Sequence, residues 1–140
     1  MMKFIKSLSI AALLAVSTTT FADVAVIVNP TNANGMSDSD IARAFLGKLK
    51  NFADGQTIKA VNGKANSNSR VEFEKKVLKK SPAQVKAYWS KRLFTGKGKP
   101  LQELDADAQV LSLVASTPNA IGYVDASSVN GSVKVLKTFK

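Results

Sequence analysis

The chain has no cysteine and no histidine. Without cysteine there are no disulfides, thiol nucleophiles or thiolate-bound metals, so the core must hold by packing alone. An oxidising compartment is tolerated but not used. Without histidine the commonest general base and the commonest metal ligand are gone. There is no Gly-x-x-x-x-Gly-Lys-Ser/Thr loop, no Gly-x-Gly-x-x-Gly, no His-Glu-x-x-His and no Ser-x-x-Lys. The acidic pairs Asp38/Asp40 and Asp105/Asp107 fall at expected helix starts, where capping explains them better than acid–base work. No nucleophile stands beside a base and no metal cluster is visible. The residues therefore argue against an enzyme and call for no cofactor.

Acid is scarce as well. Ten Asp+Glu face 20 Lys+Arg, for a formal net charge of +10. The balance stays strongly positive when Lys3 and Lys6 are set aside. From Lys75 to Gln102 the basic residues are Lys75, Lys76, Lys79, Lys80, Lys86, Lys91, Arg92, Lys97 and Lys99, with no acid among them. Such a run is either a pair of solvated helix faces or a docking surface for a polyanion or acidic partner. Tyr88 and Trp89 interleave with it at helical spacing, as core residues rather than stacking platforms. Phe94 fits neither role clearly. Nothing resembles a nucleic-acid recognition motif, and no nucleic acid is expected as partner.

Long apolar runs are confined to one place. "SLSIAALLAVS" follows Lys3 and Lys6 and leads to Phe21-Ala22, the pattern of a secretory signal peptide cut between Ala22 and Asp23. It is short for a transmembrane helix, which needs about 20 residues. The expected organisation is a signal peptide over 1–22 and a single domain over 23–140, exported to the periplasm.

The remainder alternates strand and helix patterns. "DVAVIVNP" reads as a buried strand ended by Asn29-Pro30. "SDSDIARAFLGK" reads as a helix capped by Ser37 or Asp38, with Ile41, Ala44 and Phe45 inward and Gly47 as its stop. "TIKAVNG" is a second strand. Val71, Phe73, Val77 and Leu78 mark one face of a helix ending near Lys80. Ser81-Pro82 starts another, with Val85, Tyr88, Trp89 and Leu93 as its buried stripe. "FTGKGKP" is a loop, "DADAQVLSLVAST" a short helix, and "AIGYVDA" and "SVKVLKTF" the closing strands. The alternation predicts an α/β domain, a mostly parallel or mixed sheet flanked by helices.

"NSNSRVEFE" (Asn66 to Glu74) carries two readings. A helix N-terminus offers unpaired N–H groups and a positive dipole end. Hydroxyls at Ser67 and Ser69 and the guanidinium of Arg70 would complete a phosphate-type cradle. Alternatively Ser69-Arg70-Val71-Glu72 is a Ser-x-x-Glu capping box, with Ser69 serving the helix itself. Residue chemistry alone ranks the cap first.

Four stretches then form a pattern: "VAVIVNPTNANGMSDSDIARAFLGK", "TIKAVNGKANSNSRVEFEKKVL", "TPNAIGYV" and "VKVL". In that order they resemble the periplasmic phosphate-binding proteins of ABC transporters, and specifically one lobe of them. "YWSKRLFTGKGKP" is similar to the short, single-lobe relatives. The resemblance implies a single lobe of a periplasmic-binding-protein-like fold. It also implies phosphate or another oxyanion as ligand, held at a Ser-Gly-Thr-Arg motif. Here Ser67, Asn68, Ser69 and Arg70 stand in its places. An arginine usual four residues before the Ser is Gly63 here, with Lys64 beside it as a point charge. The full receptors close two lobes on the ligand. The resemblance therefore implies a transporter permease as partner, or a second wall from a homodimer or partner protein. The role implied is the substrate-binding component, or an accessory, of a phosphate ABC transporter. The alternative is a protein-interaction module that keeps the fold without tight ligand binding.

Overall fold

The computed structural model describes residues 22–140. The leader expected over 1–22 thus lies outside the described residues, except for Ala22. Five strands form one mixed sheet: β1 Val24–Val28, β2 Lys59–Gly63, β3 Gln102–Leu104, β4 Ala120–Asp125 and β5 Lys134–Phe139. Their spatial order is β3-β2-β4-β1-β5. β1 pairs antiparallel with β4 and β5, while β2 pairs parallel with β4 and β3.

Side chains alternate across a strand, so β1 feeds two cores. Val24, Val26 and Val28 join Ile41, Phe45, Phe73, Trp89 and Tyr123 on one face. Ala25 and Ile27 join Val61, Val110, Val114 and Val124 on the other. Burial on both faces explains why "VAVIV" is apolar without a break. The first face is covered by α1 Asp38–Phe45, α2 Asn68–Phe73 and α3 Pro82–Phe94, and the second by α4 Asp107–Ser116. Gly122 of β4 lets α4 come close: a Cβ there would stand 2.7 Å from Val110 Cγ1.

Most local signals act as read. Ser37, not Asp38, caps α1, its Oγ accepting Asp40 N–H at 3.1 Å; Asp38 instead pairs with Lys137. Gly47 follows the α1 C-cap at φ +71. Ser81 and Gln84 form a reciprocal capping box with Pro82 in the first turn of α3.

Three expectations give way, and one strand was not foreseen. Ser69 does not cap α2; Ser67 does, and Glu72 pairs with Lys76 at 3.3 Å. Neither Asp105 nor Asp107 caps α4, whose N-cap is Ala106 without a side-chain bond. Leu93 leaves the buried stripe of α3 and is 59% exposed, because the helix face it occupies runs past the core. β3 lies between the "FTGKGKP" loop and the α4 segment, where the sequence carried no strand signal; only its pairing with β2 makes it a strand.

The Asn29-Pro30 step does more than end β1. Asn29 is buried, and its Nδ2 donates to the carbonyls of Val114 and Ala115, both at 3.0 Å, at the end of α4. Its Oδ1 accepts from Thr31 N–H at 3.0 Å. This one side chain satisfies carbonyls that a helix C-terminus leaves open. Asn29→Ala should lower stability by about 1–3 kcal/mol, the cost of stranding buried polar groups. Urea unfolding followed by circular dichroism checks this; an unchanged midpoint would contradict it.

Candidate functional site

β2 and β3 run parallel, and α2 and α4 begin just beyond their carboxyl ends. Open α/β sheets bind ligands in this region. The turn from β2 into α2 is built by four residues. Ser67 N–H donates to Lys64 O at 3.1 Å, and Asn66 takes φ 65, a left-handed conformation that asparagine tolerates. Ser67 Oγ then accepts Arg70 N–H at 3.4 Å. After Phe73 the helix widens into a π-turn, Glu74–Leu78, which ends on Lys79 at φ 57. Phe73, Glu74, Val77 and Leu78 are all buried, so the face set by α2 continues through the π-turn.

Tyr123 anchors the end of β2 from below. Its ring stacks on Phe73 at 3.8 Å, and its hydroxyl accepts Gly63 N–H at 3.0 Å and donates to Asn62 Oδ1. Burial raises the Tyr123 pKa, so the phenol stays protonated. A Cβ at Gly63 would lie 3.4 Å from that hydroxyl and 3.5 Å from Ser67 Oγ. A side chain at position 63 would thus start at the candidate site.

The predicted residues are contiguous but face different ways. Ser69 is buried, and its Oγ donates to Asp107 Oδ1 at 3.3 Å. Asp107 also accepts Asp125 N–H at 3.0 Å and Ser128 Oγ at 3.1 Å, joining α2, α4 and the end of β4. Arg70 turns the other way. Its Nε bonds Glu74 Oε1 at 3.3 Å, and its Nη1 bonds Glu103 Oε1 at 2.6 Å and Gly63 O at 3.0 Å. It borders a cleft of about 520 Å³ between α2 and α3, walled by Trp89, Leu93 and Lys86 and closed by Glu103. Lys64 and Asn68 are exposed, and neither lines that cleft.

Two carboxylates therefore share the Arg70 cation. Burial works against the Arg70 charge, but the Glu103 hydrogen bond and the surrounding negative charges outweigh it and raise the pKa. Glu74 is only 3% exposed; burial raises its pKa, and Arg70 pulls it part of the way back. Sequence reasoning missed Glu74, Glu103, Asp107 and Tyr123. The Arg70/Glu74 spacing of four residues was the one available signal. Among the described residues there is no group of three or more His, Cys, Asp or Glu side chains able to hold a metal. No helix of the described residues is long and apolar enough to cross a membrane.

Comparison with known proteins matches residues 19–138 to the PBP superfamily domain. An ABC-type phosphate transport receptor from Vibrio cholerae is similar at a TM-score of 0.65 and 20% identity. That match covers 84% of this chain and 47% of the receptor. A putative phosphate ABC transporter substrate-binding protein from Clostridium perfringens, with bound phosphate, is similar at 0.64 and 25% identity, covering 84% and 46%. PstS from Borrelia burgdorferi is similar at 0.58 and 16%, covering 84% and 48%. At 20% and 16% identity, the first and third are likenesses of fold. The chain spans about half the length of each. The five-stranded sheet with its flanking helices is thus one lobe of that architecture, and the chain belongs to the PBP superfamily domain family.

Proposed function

We propose that this chain is an exported, phosphate-binding-like protein that takes an oxyanion at the Ser67-Asn68-Ser69-Arg70 turn, with Lys64 assisting. One observation carries the reading: a Ser-capped helix start, followed by Ser69 and Arg70, stands at the carboxyl end of a parallel strand. The first N–H groups of such a helix have no intrahelical acceptor, and their dipole end favours negative charge. The bound phosphate in the Clostridium perfringens relative supports the choice of ligand.

Binding has to displace two internal contacts. Ser69 Oγ must turn from Asp107, and Arg70 must be released in part by Glu103, whose side chain is 49% exposed. A site open to water on one side binds weakly, because solvent competes for each hydrogen bond. A second wall, from another copy, a partner protein or a transporter permease, would strengthen it. The leader expected over Met1–Ala22 would deliver the chain to the periplasm as the binding component or an accessory of a phosphate transporter.

Calorimetric titration of the purified protein with phosphate and sulfate tests the site. Ser67→Ala/Ser69→Ala should weaken phosphate binding about tenfold or more, for the loss of two hydroxyl contacts to a charged ligand. Unchanged affinity in that variant would refute the site. The same internal contacts favour a second reading, a protein-interaction module in which Asp107 and Glu103 hold the former ligand groups permanently. It predicts no heat with phosphate up to the millimolar range.

A further inference from the structure

A second concavity of about 420 Å³ lies between α3, the segment entering β2 and the loop after α3. Its charged lining residues are Lys50, Lys59, Arg92, Lys97 and Lys99, and no carboxylate lines it. Among the described residues, none of these five cations forms an ion pair. They come from three separate segments, so the fold itself brings like charges together against their repulsion.

Arg92 holds the two rims in place. Its Nη2 donates to Lys97 O at 3.3 Å and reaches Gly47 O at 3.5 Å, tying the loop after α3 to the turn after α1. Its guanidinium lies 5.6 Å from the Tyr88 ring centroid and 5.9 Å from that of Trp89. Gly98 packs against it closely enough that a Cβ would stand 3.5 Å from Nη2. Gly47 and Gly96 both take φ near +70 in the two turns so joined. Arg92 Nε is buried without a hydrogen-bond partner among the described residues.

The geometry points to this groove as a binding site for a small oligophosphate, a ligand with several adjoining phosphate charges. Its volume falls in the range of small-molecule sites. Four of its five cations are lysines, mobile point charges that follow phosphate oxygens in any direction, as an oligophosphate presents them. A single phosphate would leave most of the five unmatched. Trp89 is only 6% exposed, so the groove offers nucleobases no platform. The site is separate from the Ser67–Arg70 turn, whose residues do not line it.

Titration of the full purified chain with tripolyphosphate, followed by fluorescence of its single tryptophan and by calorimetry, tests the assignment. Tripolyphosphate should bind more tightly than orthophosphate and lose affinity in about 1 M salt, where charges are screened beyond about 3 Å. Lys97→Gln/Lys99→Gln should weaken it about tenfold or more. Both lysines are exposed, so circular dichroism should show an intact fold. Ser67→Ala/Ser69→Ala should leave tripolyphosphate binding unchanged. Absence of tripolyphosphate binding, or equal binding by the lysine variant, would overturn the assignment. So would loss of binding in the serine variant alone. Phe94 is 93% exposed at the end of α3, which makes an anionic bilayer the rival occupant. Lysine-dependent binding to phosphatidylglycerol vesicles without tripolyphosphate binding would also overturn it.

Discussion

Arg70→Ala should destabilise the protein by roughly 3–5 kcal/mol at neutral pH, the cost of removing one partner from a buried ion pair. The reason is Glu74. It is almost wholly buried, its Oε2 has no hydrogen-bond partner among the described residues, and its Oε1 is held by Arg70. Without the guanidinium a carboxylate is stranded in the core. The pH dependence has a definite sign. Burial raises the folded pKa of Glu74 above its unfolded value. The folded state then holds the proton more tightly than the unfolded one. The penalty is absent below the unfolded pKa, grows as pH rises through the window, and is complete above the raised value. Arg70→Ala removes the opposing charge, so the variant should recover stability on acidification more than the parent does. Arg70→Ala/Glu74→Gln should recover much of the loss at neutral pH. Urea midpoints at neutral and mildly acidic pH decide it. Equal losses in the single and double variants would show that Glu74 is not the cause.

Phe73→Ala should cost about 3–5 kcal/mol, the range for deleting a buried aromatic ring. Phe73 is 1% exposed, stacks on Tyr123 with the planes 3° apart, and meets Phe45 edge-on at 4.7 Å. Domains of this size commonly have about 5–15 kcal/mol in total, so the variant approaches the limit of folding. The consequence reaches the candidate site, because the Tyr123 hydroxyl below the ring stack holds Gly63 and Asn62 at the end of β2. Denaturant unfolding should show a much lower midpoint. A loss below about 1 kcal/mol would mean the three-ring cluster does not fix α2 to the sheet.

Elements carried by strong local chemistry were legible in the sequence. The Ser37 cap and the Ser81-Pro82 start owe their conformations to residues within one turn of themselves, and the unbroken "VAVIV" run shows its two-sided burial in its composition. β3 was not legible, since Gln102-Glu103-Leu104 has no strand signature and is extended only because β2 lies beside it. That short strand brings Glu103 to Arg70, so the acidic side of the site was hidden with it. In "NSNSR" the helix starts two residues earlier than the capping box required. Ser67 serves the helix, and Ser69 is freed for Asp107 from a distant segment. Glu74 was hidden by its residue type: a regular helix already places it between Val77 and Leu78 on the buried face, but a charged side chain beside lysines reads as surface.

An oxyanion held by the turn from Ser67 to Arg70 would lie against the first amides of α2. Backbone amide shifts of isotopically labelled protein, followed during titration with phosphate, test it most directly. Saturable shifts are expected at Asn68, Ser69 and Arg70, abolished in Ser67→Ala/Ser69→Ala. Phosphate that leaves those three amides unmoved would contradict it, whatever it does elsewhere on the protein.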